Sequence, residues 1–326
     1  MTGRRPTRPA APAPPPLTEQ ALILPRCSTT SDHLHEPVLG TASVVRTWLL
    51  LEHPGSWSTT VLQSRRVPAR VGTVLARRAN RHRVRVVLIR RPGRTAPDLP
   101  LTCFAATTGP AGSWLGQLTL ERAEDVLDVD LGALRAGSRT AFGPVDDPVL
   151  CVCTHGSHDP CCAERGRPVA SALAARFPAQ TWEVSHIGGD RFAGNVVCFP
   201  DGDYLGRLDA ASAVPVVEAY LGGHYVLPHL RGRAGFAPVV QAAEILVRER
   251  LGITARSAVR VLDARRDGGN TTVRLEVSGH GQLAASVRVG ATKVDRHLTC
   301  HAAHGGAPPT YRLIDLTRGP GTTGSP

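Results

Sequence analysis

Lysine is almost missing from this chain: Lys293 is the only one among 38 basic side chains. The rest are arginines, in a sequence rich in alanine, glycine and proline. GC-rich coding accounts for that choice of cation, but not for a formal net charge of +11. Long apolar runs are missing too. Nothing reaches the ~20 apolar residues of a membrane span, and the most apolar segments, Trp48–Leu51 and Val86–Ile89, are strand-sized. No apolar run follows Arg4-Arg5, so neither a secretory nor a twin-arginine signal is supported. A cytoplasmic location and no membrane partner are expected. Cys-x-x-Cys does not occur, which argues against a zinc-ribbon knuckle and a thioredoxin dithiol. No aromatic residue interleaves the eleven arginines between Arg65 and Arg94, so a base-stacking surface for nucleic acid is not expected. That stretch could instead draw an acidic protein partner, or be an ordinary solvated face. No internal repeat is evident.

What is present is a chain of 326 residues, 42% hydrophobic and 20% charged, the profile of a globular protein with two or three domains. Residues 1–25 read as a disordered Pro/Ala-rich tail and 317–326 as a second tail. Residues 26–140 read as an α/β region with strands near Val44–Leu51, Val84–Ile89, Leu101–Ala106 and Trp114–Leu120. Residues 146–230 are clearer. A strand over Pro148–Val152 leads into a Cys/His-rich loop, then a helix over Ala163–Phe177. A strand over Trp182–Val184, a loop over Ser185–Gly194, two strands meeting at Asp201-Gly202 and a helix over Ala210–Leu221 follow. That order is the order of a thioredoxin-like unit, with both loops after carboxyl ends of strands, where ligands collect in open α/β sheets. Residues 234–316 read as a small α+β cap, a helix over Ala237–Leu251 and a hairpin over Thr271–Val277 and Leu283–Val289.

Eight cysteines are present, and four lie within the segment Cys151–Cys162. In a reducing compartment such clustering points to metal or redox chemistry rather than disulfides. Eight residues separate Cys153 from Cys162, enough for the loop to fold back and present both thiolates to one metal centre. Thiolates favour zinc, copper(I) or iron–sulfur clusters. Cys151, on the strand, reads as a buried apolar side chain. In the second loop His186 and Asp190, four apart, bracket Gly188-Gly189. Following a strand, and in the same unit as the cysteine pair, they read as the second half of a four-ligand site.

The segments Cys-Thr-His-Gly…Cys-Cys (153–162) and Ser-His-Ile-Gly-Gly-Asp-Arg-Phe-Ala (185–193) resemble the sucrase/ferredoxin-like family, a thioredoxin-like [2Fe–2S] ferredoxin branch. Trp48–Gly55 and Val87–Arg94 are similar to its amino-terminal half. The resemblance implies an α/β fold, with a thioredoxin-like ferredoxin domain between the α/β region and the α+β cap. It also implies a [2Fe–2S] cluster on two cysteines of the first loop and two histidines of the second. Carried over, the ligands are Cys153, Cys162 and His186, with Asp190 where the family pattern has its second histidine. Asp190 itself, Cys198, Cys161, His155 and His158 are all candidates for the fourth ligand. The function implied is one-electron transfer to a redox protein partner, and an acidic partner would suit the basic face. A zinc protein using the same Cys/His/Asp set is the alternative, and a metal-free module using the basic face is a third. Glycosidase chemistry needs a pair of positioned carboxylates, and no such pair stands out.

Overall fold

The computed structural model describes residues 26–93, 100–292 and 296–318. The expected tail over 1–25, residues 319–326 of the second tail, Arg94 and Lys293 lie outside them.

Strand β1 (Thr47–Glu52) is buried on both faces, with Trp48 and Leu50 in one core and Leu49 and Leu51 in another. A strand covered on both sides needs no polar alternation, which is why it reads as an apolar run. Helix α2 (Ala69–His82) falls inside the arginine-rich stretch, where no helix is expected from the sequence. Its buried stripe, Val71, Leu75 and Ala79, repeats every four residues but is narrow, and the intervening arginines mask it. Strands β2 (Arg85–Arg90), β3 (Leu101–Thr107) and β4 (Trp114–Leu120), helix α3 (Leu131–Arg135) and the short β5 (Gly143–Pro144) complete a first unit.

The second unit runs β6 (Val149–Cys153), α4 (Pro160–Arg176), β7 (Thr181–Val184), β8 (Val196–Phe199), β9 (Asp203–Leu205), α5 (Ala213–Leu221) and β10 (Leu230–Arg233). Its connectivity matches that of the first. In both, the first two strands pair in parallel and the first and third antiparallel, and the fourth and fifth extend the edge antiparallel. The absence of a sequence repeat therefore did not mean the absence of a structural one: topology is duplicated while side chains differ. The units join through antiparallel β2 and β7 into one ten-stranded sheet, β10-β9-β8-β6-β7-β2-β1-β3-β4-β5. A core on one face crosses the seam, with Trp48 edge-on to Phe199 and Phe104 edge-on to Trp182. On the other face α2 covers the first unit and α4 and α5 the second.

Helix α6 (Pro238–Leu251) packs on a separate antiparallel sheet, β11 (Val259–Asp267), β12 (Asn270–Val277), β13 (Gly281–Ala291) and β14 (Pro309–Arg318). The expected hairpin is its centre, and β11 and β14 flank it. A short helix α1 (Cys27–His33) lies against the loop over 185–194. Among the described residues no helix is long and apolar enough to cross a membrane.

Candidate metal centre

The first loop leaves β6 at Cys153 and ends in an N-cap. The Asp159 carboxylate accepts the Cys161 N–H at 2.9 Å, and Pro160 occupies the first helical turn. This pairing starts α4 at Pro160 rather than Ala163, because proline tolerates the first turn and aspartate satisfies an orphan N–H there. Cys161 and Cys162 are therefore helical, and their side chains diverge by roughly 100°. Cys162 turns toward Cys153, while Cys161 turns toward Cys27 and Cys300. α4 lies so close to β6 that a Cβ on Gly166 would sit 2.0 Å from the Cys153 carbonyl oxygen. Glycine lets the helix start reach the strand end.

The second loop is held from three sides. Ser185 accepts the Leu88 N–H at 3.0 Å, and Arg85 donates to the His186 carbonyl at 2.8 Å. Beneath it lies Arg231, fully buried, which donates to the Gly188 carbonyl at 3.0 Å and to Asn195 at 2.9 Å. A Cβ on Gly189, at φ +81°, would fall 2.1 Å from an Arg231 nitrogen, so the loop closes on the guanidinium only because that residue is glycine.

His155 ties the two loops together. Its Nδ1 accepts the His186 backbone N–H at 3.1 Å, and its Nε2 pairs with the Ser58 carbonyl at 3.0 Å, which assigns the proton to Nε2. Ser157 donates to the Trp57 carbonyl, and Thr59 to the Ser157 carbonyl, so the first unit's loop clasps the second unit's site.

The donor atoms form two overlapping groups. The Sγ atoms of Cys153 and Cys162 and a ring nitrogen of His186 lie within 4.8 Å of one another, as do donors of His158, His186 and Asp190. His186 belongs to both. Its Nδ1 is 2.9 Å from Asp190 Oδ1 but not aligned for a hydrogen bond, and Cys162 Sγ is 3.1 Å from that same oxygen. Asp190 is 1% exposed, and its Oδ2 has no hydrogen-bond partner; His158 Nε2 stands 3.9 Å away.

Protonation follows from these contacts. A hydrogen bond from Cys162 holds the Cys153 thiol below its ordinary value, against the cost of burial and helped by His186. Cys162 is pushed up, first by Cys153 and then by burial. Burial alone would raise the Asp190 carboxyl, but His186, with Cys162 and His158 beside it, holds it below the usual range. Burial pushes His155 down to about 4, so this imidazole is neutral near neutral pH.

The structure thus brings Cys153, Cys162, His186 and Asp190 together, with His158 at their edge. It does not bring the other candidates. Cys198 lies in the core under α4 and α5 with Leu150 and Val169, whereas Cys153 belongs to the core on the other sheet face. Both nitrogens of His155 are engaged, and Cys161 faces elsewhere. Sequence reasoning misses Arg231 and the Trp57–Thr59 clasp, since no local pattern links them to loops some forty and a hundred residues away.

The donor set suits a thiophilic metal. Two thiolates, imidazole and a carboxylate fit zinc or an iron–sulfur centre. The buried Asp190 Oδ2 without a partner points the same way, because an ionised oxygen in the interior is costly unless a cation meets it. A model of the sucrase/ferredoxin-like family matches residues 38–232, more than half of the chain. No curated protein and no solved structure gives a significant match.

Proposed function

The chain belongs to the sucrase/ferredoxin-like family, and from that premise we propose that it holds a [2Fe–2S] cluster and passes single electrons to a protein partner. The observation that carries this reading is the pair of donor groups overlapping at His186. One end is a buried thiol pair, Cys153 and Cys162; the other is the oxygen and nitrogen set of His186, Asp190 and His158. A two-iron centre asks for two such ends, and a cluster bound there would take up and release one electron at a time. Cys153, Cys162, His186 and Asp190 are the ligands of this reading. Arg231, Arg85 and His155 hold the loops, so that the donors need little rearrangement. The His186 side chain, 23% exposed, marks the edge where a partner would approach. The partner proposed is an acidic redox protein meeting exposed arginines of α2. Eight cysteines, all free, suit a reducing, cytoplasmic setting.

The tight spacing of Cys153, Cys162 and His186 favours a second reading, a single zinc ion with Asp190 or water as fourth ligand. Anaerobic purification from cells supplied with both metals separates the two. The cluster reading expects red-brown protein with about two irons and two sulfides per chain. Colourless protein with iron near zero and zinc in the Cys153–Cys162 site would overturn it.

A further inference from the structure

Away from the centre described above, three cysteines from remote parts of the chain meet. Cys161 Sγ is 3.6 Å from Cys27 Sγ and 3.4 Å from Cys300 Sγ. Asp159 Oδ2 lies 3.8 Å from Cys27 Sγ and accepts the Cys300 N–H at 2.6 Å. All four donor atoms are within 4.8 Å of one another. Cys27, Asp159 and Cys161 are buried, and Cys300 is partly so.

We propose that Cys27, Cys161 and Cys300, with Asp159 as fourth donor, form a structural zinc site that clips the amino-terminal helix and the segment around Cys300 onto the start of α4.

The spacing fits one tetrahedral ion. Zn–S bonds of ~2.3 Å at the tetrahedral angle put sulfurs about 3.8 Å apart, and a Zn–O bond of ~2.0 Å puts oxygen about 3.5 Å from sulfur. The distances here scatter around those values. A two-iron cluster would spread its ligands over two metals, and three thiols cannot all pair as disulfides. An ordinary apolar pocket does not explain the group either: its other buried apolar member is Ala193 alone. The ligands are oriented beforehand. Asp159 is fixed through its N-cap bond to Cys161, and the Cys27 N–H donates to Cys300 Sγ at 3.4 Å. Cys161 lies in the first turn of the seventeen-residue α4, where the helix dipole favours a thiolate.

The site has a structural consequence. Asp159 and Cys161 flank Pro160 at the start of α4, next to Cys162. Holding that turn from outside fixes the frame from which Cys162 reaches Cys153, so two adjacent cysteines serve two different centres.

The test uses the full chain, purified without chelator from cells supplied with zinc and iron. Wild type should carry about one tightly held zinc per chain, and Zn-edge X-ray absorption should show three sulfur ligands and one oxygen. The double variant Cys153→Ser, Cys162→Ser should keep that zinc, whatever metal it loses from the other centre. Cys27→Ser and Cys300→Ser should each lower zinc at least fivefold while iron is retained. Cys300→His, which replaces one zinc ligand by another, should restore zinc binding and controls for misfolding. Zinc absent from wild type, zinc unchanged in Cys27→Ser and Cys300→Ser, zinc lost with the Cys153–Cys162 pair, or a Cys27–Cys161 disulfide trapped in metal-free protein would each overturn the proposal. An iron-free chain that keeps zinc in the double variant would sink the cluster reading and leave this one standing.

Discussion

The imidazole of His158 lies on that of His186, ring centres 3.6 Å apart and planes 29° apart. His158 belongs to the loop between Cys153 and Cys162, so the outer end of the candidate metal site is built from both loops. Two stacked imidazoles resist carrying charge together. Burial lowers the His158 pKa, and the His186 charge lowers it further, against the pull of Asp190. Either Asp190 or His158 can therefore complete the outer end, one as a carboxylate and the other as a neutral nitrogen.

Replacing each decides between them. If Asp190 is a ligand, Asp190→Ala should lose the cluster or leave it fragile, while His158→Ala keeps its visible spectrum. Asp190→His should retain the cluster at a higher potential. Imidazole ligation places [2Fe–2S] centres at roughly −150 to +300 mV against about −400 mV for all-cysteine plant-type ones, and a carboxylate restores negative charge. Redox titration reads the shift. An unchanged Asp190→Ala together with a bleached His158→Ala would transfer the role to His158.

The cysteines should fall into clear classes. Cys153→Ser and Cys162→Ser should each abolish the cluster absorption. Cys151→Ser and Cys198→Ser should leave it intact, because both sit in strand cores outside the donor groups. They should still cost about 1–3 kcal/mol in denaturant unfolding, the usual penalty for a buried hydroxyl without a partner. Loss of the spectrum in Cys198→Ser would place a ligand on the wrong face of the sheet.

Legibility in the sequence followed locality. The strands around the two loops, their turn residues and the Cys/His donors are contiguous, so pattern and chemistry exposed them. Helix α2 was hidden because Val71, Leu75 and Ala79 are its whole apolar stripe among arginines. The short strand β10 carries two arginines, and one of them, Arg231, is buried against a loop more than forty residues earlier. Cys27 and Cys300 gave no signal because their meeting is made by the fold alone, across 273 residues. The duplicated topology escaped for a related reason: β1 ends at Glu52, before His53, where β6 ends at Cys153, before Thr154, so corresponding strand ends share geometry without sharing chemistry.

Acid should weaken the clasp between the loops. His155 has a folded pKa of about 4, below its ordinary 6.5. The unfolded chain takes up that proton near 6.5 and the folded one only near 4. Its contribution is therefore whole above 6.5 and is lost as pH falls toward 4, by on the order of 3 kcal/mol at most. Asp203 runs the other way: burial, then Asp201, raise it to about 6, so its ionisation costs stability above that pH and protonation relieves it. Urea unfolding of metal-free protein between pH 7 and 4 should show a steeper acid loss in Asp203→Asn, which removes the opposing term, and a shallower one in His155→Gln. Equal slopes in wild type and His155→Gln would show that His155 is not the group being protonated.

The basic stretch divides into arginines that serve the fold and arginines that face solvent. Arg78 donates to the Leu127 and Val129 carbonyls, Arg85 to the His186 carbonyl, and Arg90 to Glu183 while covering the Trp57 ring. Arg77, Arg81 and Arg83 are exposed along and just after α2. Only the exposed set can steer an acidic partner without altering the site. Attraction between surface charges is screened over ~8–10 Å at 0.1–0.15 M salt, so electron transfer to such a partner should slow as salt rises. Gln at Arg77, Arg81 and Arg83 together should lower the low-salt rate toward the high-salt one and flatten the salt dependence, with the visible spectrum unchanged. Arg85→Gln should behave differently, shifting the spectrum or potential because it releases the His186 carbonyl. Stopped-flow reduction by an acidic ferredoxin-type donor across a salt series measures both. A rate indifferent to salt and to the triple substitution would leave these arginines as a solvated face, and an Arg85→Gln protein with unaltered spectrum and potential would show that its bond to the loop is dispensable.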